Sequence, residues 1–188
     1  SQLADRVVAA GGNHPDVRIR DLFERFLPHD KRVKRLGTTV QPQQILAIPG
    51  DAAVGRTLFL KAAGVQCRNC HRIARQGKSV GPDLDTVARK NDRRALLDSI
   101  LNPSKKIDPK FRAYLVETTQ GRVHTGLLVS RTDKQVVIRE ANGKEILVPA
   151  DNVEMIIAQP KSLMPELLVK DMTSKQLADL LAFLETLK

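Results

Sequence analysis

The sequence predicts an α+β protein, a helical domain interrupted by a small antiparallel β-barrel, and two observations carry this expectation. Apolar residues recur at helical spacing before residue 111 and after residue 172, whereas between them the period drops to two and glycine-bearing turns separate short runs. The chain has 188 residues, 41% hydrophobic and 28% charged, which is enough to bury a core. No apolar run reaches the length that crosses a bilayer.

Residues 1–49 read as an N-terminal helical connector. Ile19, Leu22, Phe23 and Phe26 stand at i, i+3, i+4 and i+7, and Pro28 closes the run. A basic, turn-rich stretch follows. One amphipathic helix cannot form a core by itself, so the segment is expected to pack on its neighbour. Ser1 to Ala10 have neither the basic start nor the apolar centre of a signal peptide, so an exported protein would be represented here by a mature chain or a fragment.

Residues 50–188 read as the main domain, with 111–160 as its β insertion. The first helix opens at Gly50-Asp51, with Asp51 as N-cap and Val54, Leu58 and Phe59 on one side, and runs into Cys67. The next starts at Asn91 or Asp92, buries Leu96, Leu97, Ile100 and Leu101, and stops near Asn102 because Pro103 follows. Thr173 and Gln176 form a capping-box pair for the last helix, where Leu177, Leu180, Leu181 and Leu184 repeat at helical spacing.

Within the insertion, strands are expected at Phe111 to Thr118, around Val123 to Ser130, and at Gln135 to Glu140, Glu145 to Val148 and Val153 to Ala158. In the second of these, Val123, Thr125, Leu127 and Val129 share one face, and His124, which alternates with them, is expected to point outward. Turns fall at Gln120-Gly121, Thr132-Asp133 and Asn142-Gly143, the last carrying a type I′ hairpin signal. Five short strands in meander order fit a small SH3-like barrel.

The formal charge of +10 is uneven. Residues 1–50 hold 8 basic and 5 acidic side chains, an excess of +3, and residues 51–110 hold 13 and 6, an excess of +7. Residues 111–160 and 161–188 balance at 6 and 6 and at 4 and 4. The neutral insertion, with only Phe111 and Tyr114 as aromatics, gives poor footing for nucleic acid. Arg68, Arg72, Arg75, Lys78, Arg89, Lys90, Arg93, Arg94, Lys105 and Lys106 are candidates for a positive face that an acidic protein partner would meet. Trp is absent and aromatics total 3%, so a large apolar cofactor could supply core volume that aromatic side chains usually provide.

The chemistry concentrates in Cys67-Arg68-Asn69-Cys70-His71. In c-type attachment two thiols add to the vinyl groups of a haem, the two-residue gap lets both reach one edge of the ring, and the adjacent histidine becomes an axial ligand. The motif uses both cysteines of the chain. A structural zinc would want four ligands, and His14, His29 and His124 have no metal-site spacing to the motif. A thioredoxin-like dithiol would want a βα context rather than a helix leading into the motif. A sixth iron ligand could come from Met155, Met164, Met172, a histidine or nothing. Met155 falls in an expected strand and reads as core, and Met172 precedes the capping box and reads as a helix-end contact.

At this point the chain resembles the class I cytochromes c. Gly55 and Phe59 match the N-terminal helix of that family and Phe183 the aromatic of its C-terminal helix, two helices that cross near the haem. Gly81-Pro82-Asp83-Leu84 resembles the loop whose proline carbonyl accepts the N–H of the axial histidine. Ser162-Leu163-Met164-Pro165 lies where the family presents its thioether, which implies His71 and Met164 as iron ligands. The resemblance implies that Cys67, Cys70, Pro82, Leu84 and Ile100 contribute to the haem site. His71 and Met164 are 93 residues apart, and removing the 50-residue insertion leaves 43, a spacing that suits a compact helical domain.

Nearest in pattern is the haem-binding C-terminal domain of the planctomycete and verrucomicrobial type, which the chain resembles from roughly Val17 to Lys188. Asp21 to Pro28, Ser99-Ile100-Leu101-Asn102-Pro103 and Leu180-Leu181-Ala182-Phe183-Leu184 add to the motifs above. The resemblance implies one covalent haem c and single-electron transfer as acceptor or relay rather than catalysis. It also implies an exported or periplasmic setting, often at the end of a larger oxidoreductase, and a redox partner or fused dehydrogenase domain with an acidic docking face. The competing classes are a haem enzyme of peroxidase type with a labile distal ligand, for which no distal acid–base pair is evident, and a binding module built on the β insertion.

Overall fold

The computed structural model describes residues 2–12, 14, 17–61 and 67–188, without the side chains of residues 17 and 18. The chain forms two compact units, Ser1–Arg35 and Leu36–Lys188.

The first unit pairs helix α1 (Gln2–Gly12) with α2 (Val17–Glu24). Helix α2 is the expected one, but it stops at Glu24, and Phe26 and Leu27 instead donate to Phe23 and Glu24 in tighter i to i−3 turns before Pro28. Helix α1 was missed from the pattern, and its Leu3 and Val7 are 70% and 48% exposed. What the pair buries is Gly11, where a Cβ would come within 2.2 Å of the Phe23 ring. Arg35 bridges to Asp21 and Glu24 at 2.9 and 2.7 Å, closing the unit.

The second unit contains a helical core and an antiparallel sheet. Helix α3 (Pro42–Ala47), missed from the pattern, begins on a proline that needs no N–H in the first turn. Helix α4 (Ala52–Lys61) is capped by the Asp51 carboxylate, which accepts from Ala53 and Val54 N–H at 2.8 and 3.2 Å. Its buried residues are Gly55 and Phe59; Val54, expected on that side, is 45% exposed. Helix α5 (Arg93–Leu101) is capped by Asp92 and buries Leu96, Leu97 and Ile100. Helix α6 (Ser174–Glu185) carries the complete Thr173/Gln176 capping box.

Helices α4 and α6 meet backbone to backbone at Gly55, where a Cβ would lie 1.9 Å from the Asp179 carbonyl oxygen. The Phe59 and Phe183 rings then stack obliquely with centroids 5.9 Å apart. Ile45, Phe59, Leu97, Leu177 and Leu181 are the fully buried centre of this core. Asp179, itself buried, accepts from the Asp51 N–H at 2.6 Å and from Lys175, so its charge is compensated. Among the described residues no helix is long and apolar enough to cross a membrane.

A short hairpin, β1 (Arg72–Ile73) and β2 (Gln76–Gly77), follows the cysteine motif. The insertion folds as β3 (Ala113–Thr118), β4 (Val123–Arg131), β5 (Gln135–Arg139), β6 (Glu145–Pro149) and β7 (Val153–Ala158). These form a five-stranded antiparallel sheet in the order β6-β5-β4-β3-β7 around Val116, Val136, Ile138 and Val148.

Two details correct the sequence expectation. The Asn142-Gly143 turn is not type I′, since φ is positive at Gly143 (+85°) but not at Asn142. Gly143 N–H bonds Glu140 O and Glu140 N–H bonds Lys144 O, a tight turn followed by one left-handed glycine, and Thr118–Arg122 repeats it around Gly121. The core face of β4 is also the opposite one. His124, Gly126 and Leu128 lie opposite Val116, Tyr114 and Ile138, while on the other face Val123 and Val129 are 54% and 43% exposed and Leu127, at 6%, is buried beside Ala113. Both faces of β4 carry apolar residues, so its partners' register, not its own alternation, decides which is buried.

Candidate functional site

The cysteine motif folds into a closed turn. Cys67–Asn69 make one turn of 3-10 helix, and the N–H groups of Cys70 and His71 both donate to Cys67 O, at 3.1 and 2.9 Å. The β1–β2 hairpin then reverses the chain through Ala74 and Arg75, whose φ values of +47° and +64° cost about 1–2 kcal/mol each. The Ala74 N–H bond to Asp85 at 2.6 Å and the burial of Ile73 offset this strain. The returning strand is laid against the motif: Lys78 N–H bonds Arg68 O, and Val80 and Gly81 N–H both bond Cys70 O, at 3.0 and 2.7 Å.

This return delivers Gly81 and Pro82 to the His71 ring. His71 Nδ1 lies 2.8 Å from Pro82 O. A carbonyl only accepts, so Nδ1 carries the proton and the neutral ring keeps its lone pair on Nε2. Burial disfavours the imidazolium and holds His71 below its ordinary pKa, outweighing the Pro82 bond, which acts the other way. Gly81 is there because the ring is: a Cβ would lie 2.7 Å from Cε1 and 2.9 Å from Nδ1. Asp83 closes the loop by pairing with Arg72 at 2.9 Å; the Asp85 N–H, with Arg72 beside it, holds the Asp83 carboxyl below its usual range.

Both thiols are free. Burial pushes Cys67 up to about 11 and also raises Cys70, against a partial pull from Lys78. Disulfide oxidoreductases need a depressed thiol pKa, so this environment does not activate the pair for exchange. Among the described residues no three His, Cys, Asp or Glu side chains group as a metal site. The donor set is therefore two protonated thiols and one oriented neutral imidazole, which fits a haem attached through thioethers with nitrogen on its iron.

The other expected site residues fall into one neighbourhood. Ile100 belongs to the helical core, and Cys67, Leu84 and Met164 are half-buried against the same apolar cluster. The Met164 N–H bonds Ser162 Oγ at 3.1 Å, Ser162 N–H bonds Ser104 Oγ at 3.2 Å, and Leu167 turns the chain with φ of +59°. The methionine loop is thus tied to the segment following α5. Met172 is buried in the core at 4% exposure, whereas Met155, expected to be core, is 40% exposed on β7. His124 sits 3.7 Å from Glu140 within the sheet. His14 and His29 belong to the first unit.

The basic candidates divide. Arg93 is half-buried, 2.5 Å from Glu185 and bonded to the Ile48 and Ala178 carbonyls, so it serves packing. Arg72 pairs with Asp83 and Lys105 with Asp98, while Arg68, Arg75, Arg89, Lys90, Arg94 and Lys106 are exposed. Two contributors were missed. Asp85 was foreshadowed by the Asp83-x-Asp85 spacing, which makes an Asx turn with the Asp85 N–H on Asp83 at 3.0 Å. Arg139, whose Nη1 donates to Ser79 O at 2.9 Å, has no local signal. Compared with known proteins, the chain matches no family model and no curated protein.

Proposed function

We propose that this chain is an electron-transfer domain carrying one covalent haem c, with Cys67 and Cys70 as thioether attachment points and His71 and Met164 as axial ligands. The observation that carries the reading is the His71 Nδ1–H bond to Pro82 O beneath Gly81, which leaves Nε2 as the available donor on a ring that cannot rotate freely. Bound haem would supply an iron that accepts and returns single electrons. The chain's own part is to orient the imidazole, to present a thioether from a tied loop, and to supply apolar walls through Leu84 and Ile100.

On this reading the helical part adopts a class I cytochrome c fold and the β unit is an inserted SH3-like barrel. The Gly55 crossing of α4 over α6 and the Phe59–Phe183 contact support it. The family is then the planctomycete and verrucomicrobial haem-binding C-terminal domain, working outside the cytoplasm as acceptor or relay of a larger oxidoreductase and making no bonds itself. Its partner would present acidic groups, met by Arg68 and Arg75 near the motif; Arg93, spent on packing, would take no part.

Expression with a haem-ligation system, followed by spectra of the oxidised and reduced protein, tests the proposal. The expected result is a low-spin c-type spectrum with a sulfur-to-iron band that Met164→Ala abolishes and Met155→Ala keeps. Loss of the band in Met155→Ala instead would reassign the ligand, and no haem spectrum at all would reject the function.

A further inference from the structure

The turn between β5 and β6 meets the segment that returns from the cysteine motif, Lys78 to Val80. Arg139, the last residue of β5, donates from Nη1 to Ser79 O at 2.9 Å while its Nε and Nη2 hold Glu145 at 3.1 and 2.6 Å. From the other side Lys78 Nζ donates to Asn142 O at 2.7 Å. Gly143, in its left-handed conformation, lets the turn approach: its Cβ position lies 3.3 Å from Lys78 Cδ and 3.7 Å from Val80 Cγ2. Val80 is 3% exposed. A cleft of about 540 Å³ opens beside this clasp.

The gripped residues, Lys78 to Val80, lead directly into the ones that set His71. Val80 and Gly81 N–H hold Cys70 O, and the next residue gives the carbonyl that fixes the imidazole. We infer that Arg139 is a positioning residue for His71, acting through Ser79 and the Val80–Pro82 backbone, so that the insertion braces the histidine side of the site. The role of His71 as an iron ligand rests on the proposed function; the brace itself is read from the protein's own bonds. Arg139 suits the task because its fork reaches Glu145 and Ser79 at once, and Glu145 fixes its direction. The sequence places it 60 residues from Ser79, so the coupling joins two parts of the fold that no local rule connects.

The test uses the full chain with Arg139→Gln, Arg139→Lys, Lys78→Met and, as a control that loosens the sheet core away from the clasp, Val136→Ala. Two readouts do not require haem: amide exchange at Val80 and Gly81, and the ¹⁵N shifts of the His71 ring, which report its tautomer. Arg139→Gln should speed both amides about tenfold relative to Val136→Ala and turn the single Nδ1–H form of His71 into a mixture. Arg139→Lys should restore part of the protection, and Lys78→Met should reproduce part of the loss. In haem-loaded protein, Arg139→Gln should shift the reduction potential and the hyperfine-shifted His71 resonances, and Val136→Ala should leave both in place. Unchanged exchange and tautomer in Arg139→Gln, or equal effects from Val136→Ala, would overturn the inference. A wild-type chain that never acquires haem while Arg139→Gln still frees the ring would reject the proposed function and keep the brace.

Discussion

Replacing Gly81 by alanine perturbs the candidate site at one atom. The backbone there is not left-handed, so alanine is conformationally allowed and crowding is the whole effect. The new methyl would lie 2.7, 2.9 and 3.2 Å from Cε1, Nδ1 and Nε2 of His71. To reach an ordinary 3.4 Å contact the ring must retreat by about 0.7 Å. Such a retreat stretches the 2.8 Å bond to Pro82 O toward the limit of hydrogen bonding. If Gly81 moves instead, its 2.7 Å bond to Cys70 O is lost. Either route removes one hydrogen bond, so Gly81→Ala should lower stability by about 1 kcal/mol in urea unfolding. The larger change is in orientation: ¹⁵N NMR should show both His71 tautomers where the wild type shows one. Full stability together with a single Nδ1–H tautomer would refute the claim that Gly81 exists to admit the ring.

Gly55→Ala drives a methyl onto the Asp179 carbonyl at 1.9 Å, where backbone rather than a flexible side chain must yield. Crowding of about 3 kcal/mol less a helix-propensity gain of about 1 kcal/mol leaves a net loss of about 2 kcal/mol; unfolding that shows equal or higher stability contradicts the crossing. Met172→Ala should cost about 2–5 kcal/mol because Met172 is buried in the core, yet spare the sulfur-to-iron band, which separates packing from ligation in one pair of measurements. Hydrogen-bonded Arg35 holds the Glu24 carboxyl below its usual 4.5 despite an opposing effect of burial, and Glu24 Oε1 accepts the Val33 N–H at 2.7 Å. A depressed carboxylate stabilises above its unfolded pKa and loses that contribution as pH falls through the lower folded value. Protection of the Val33 amide should therefore fall as pH drops below about 4.5, and Glu24→Gln should show no such pH dependence.

What the sequence disclosed was what short-range chemistry decides. Asp92 before α5, the Thr173/Gln176 box and the glycine hairpins are local devices, and those elements lie where the pattern puts them. Helix α1 was missed although Leu3 and Val7 stand at helical spacing; what it buries is Gly11, against the Phe23 ring, a contact that only the fold reveals. The face of β4 could not be read because Val123, Leu127 and Val129 alternate with His124, Gly126 and Leu128; pairing with β3 and β5 put Leu128 on the sheet core and left Val123 and Val129 exposed, with Leu127 buried on the other side. In the site, Cys67 to His71 and Gly81 to Leu84 were legible because each is contiguous. The left-handed Ala74 and Arg75 carry no residue preference that would announce them, and Arg139 reaches the site from a strand far along the chain.

The proposed function depends on a covalent bond between this chain and a haem, and intact mass of the denatured, fully matured protein tests it directly. The expected mass is that of the 20.8 kDa chain plus one haem, with neither Cys67 nor Cys70 open to alkylation. An unmodified mass of 20.8 kDa, with both thiols alkylated after maturation in a competent host, would contradict it.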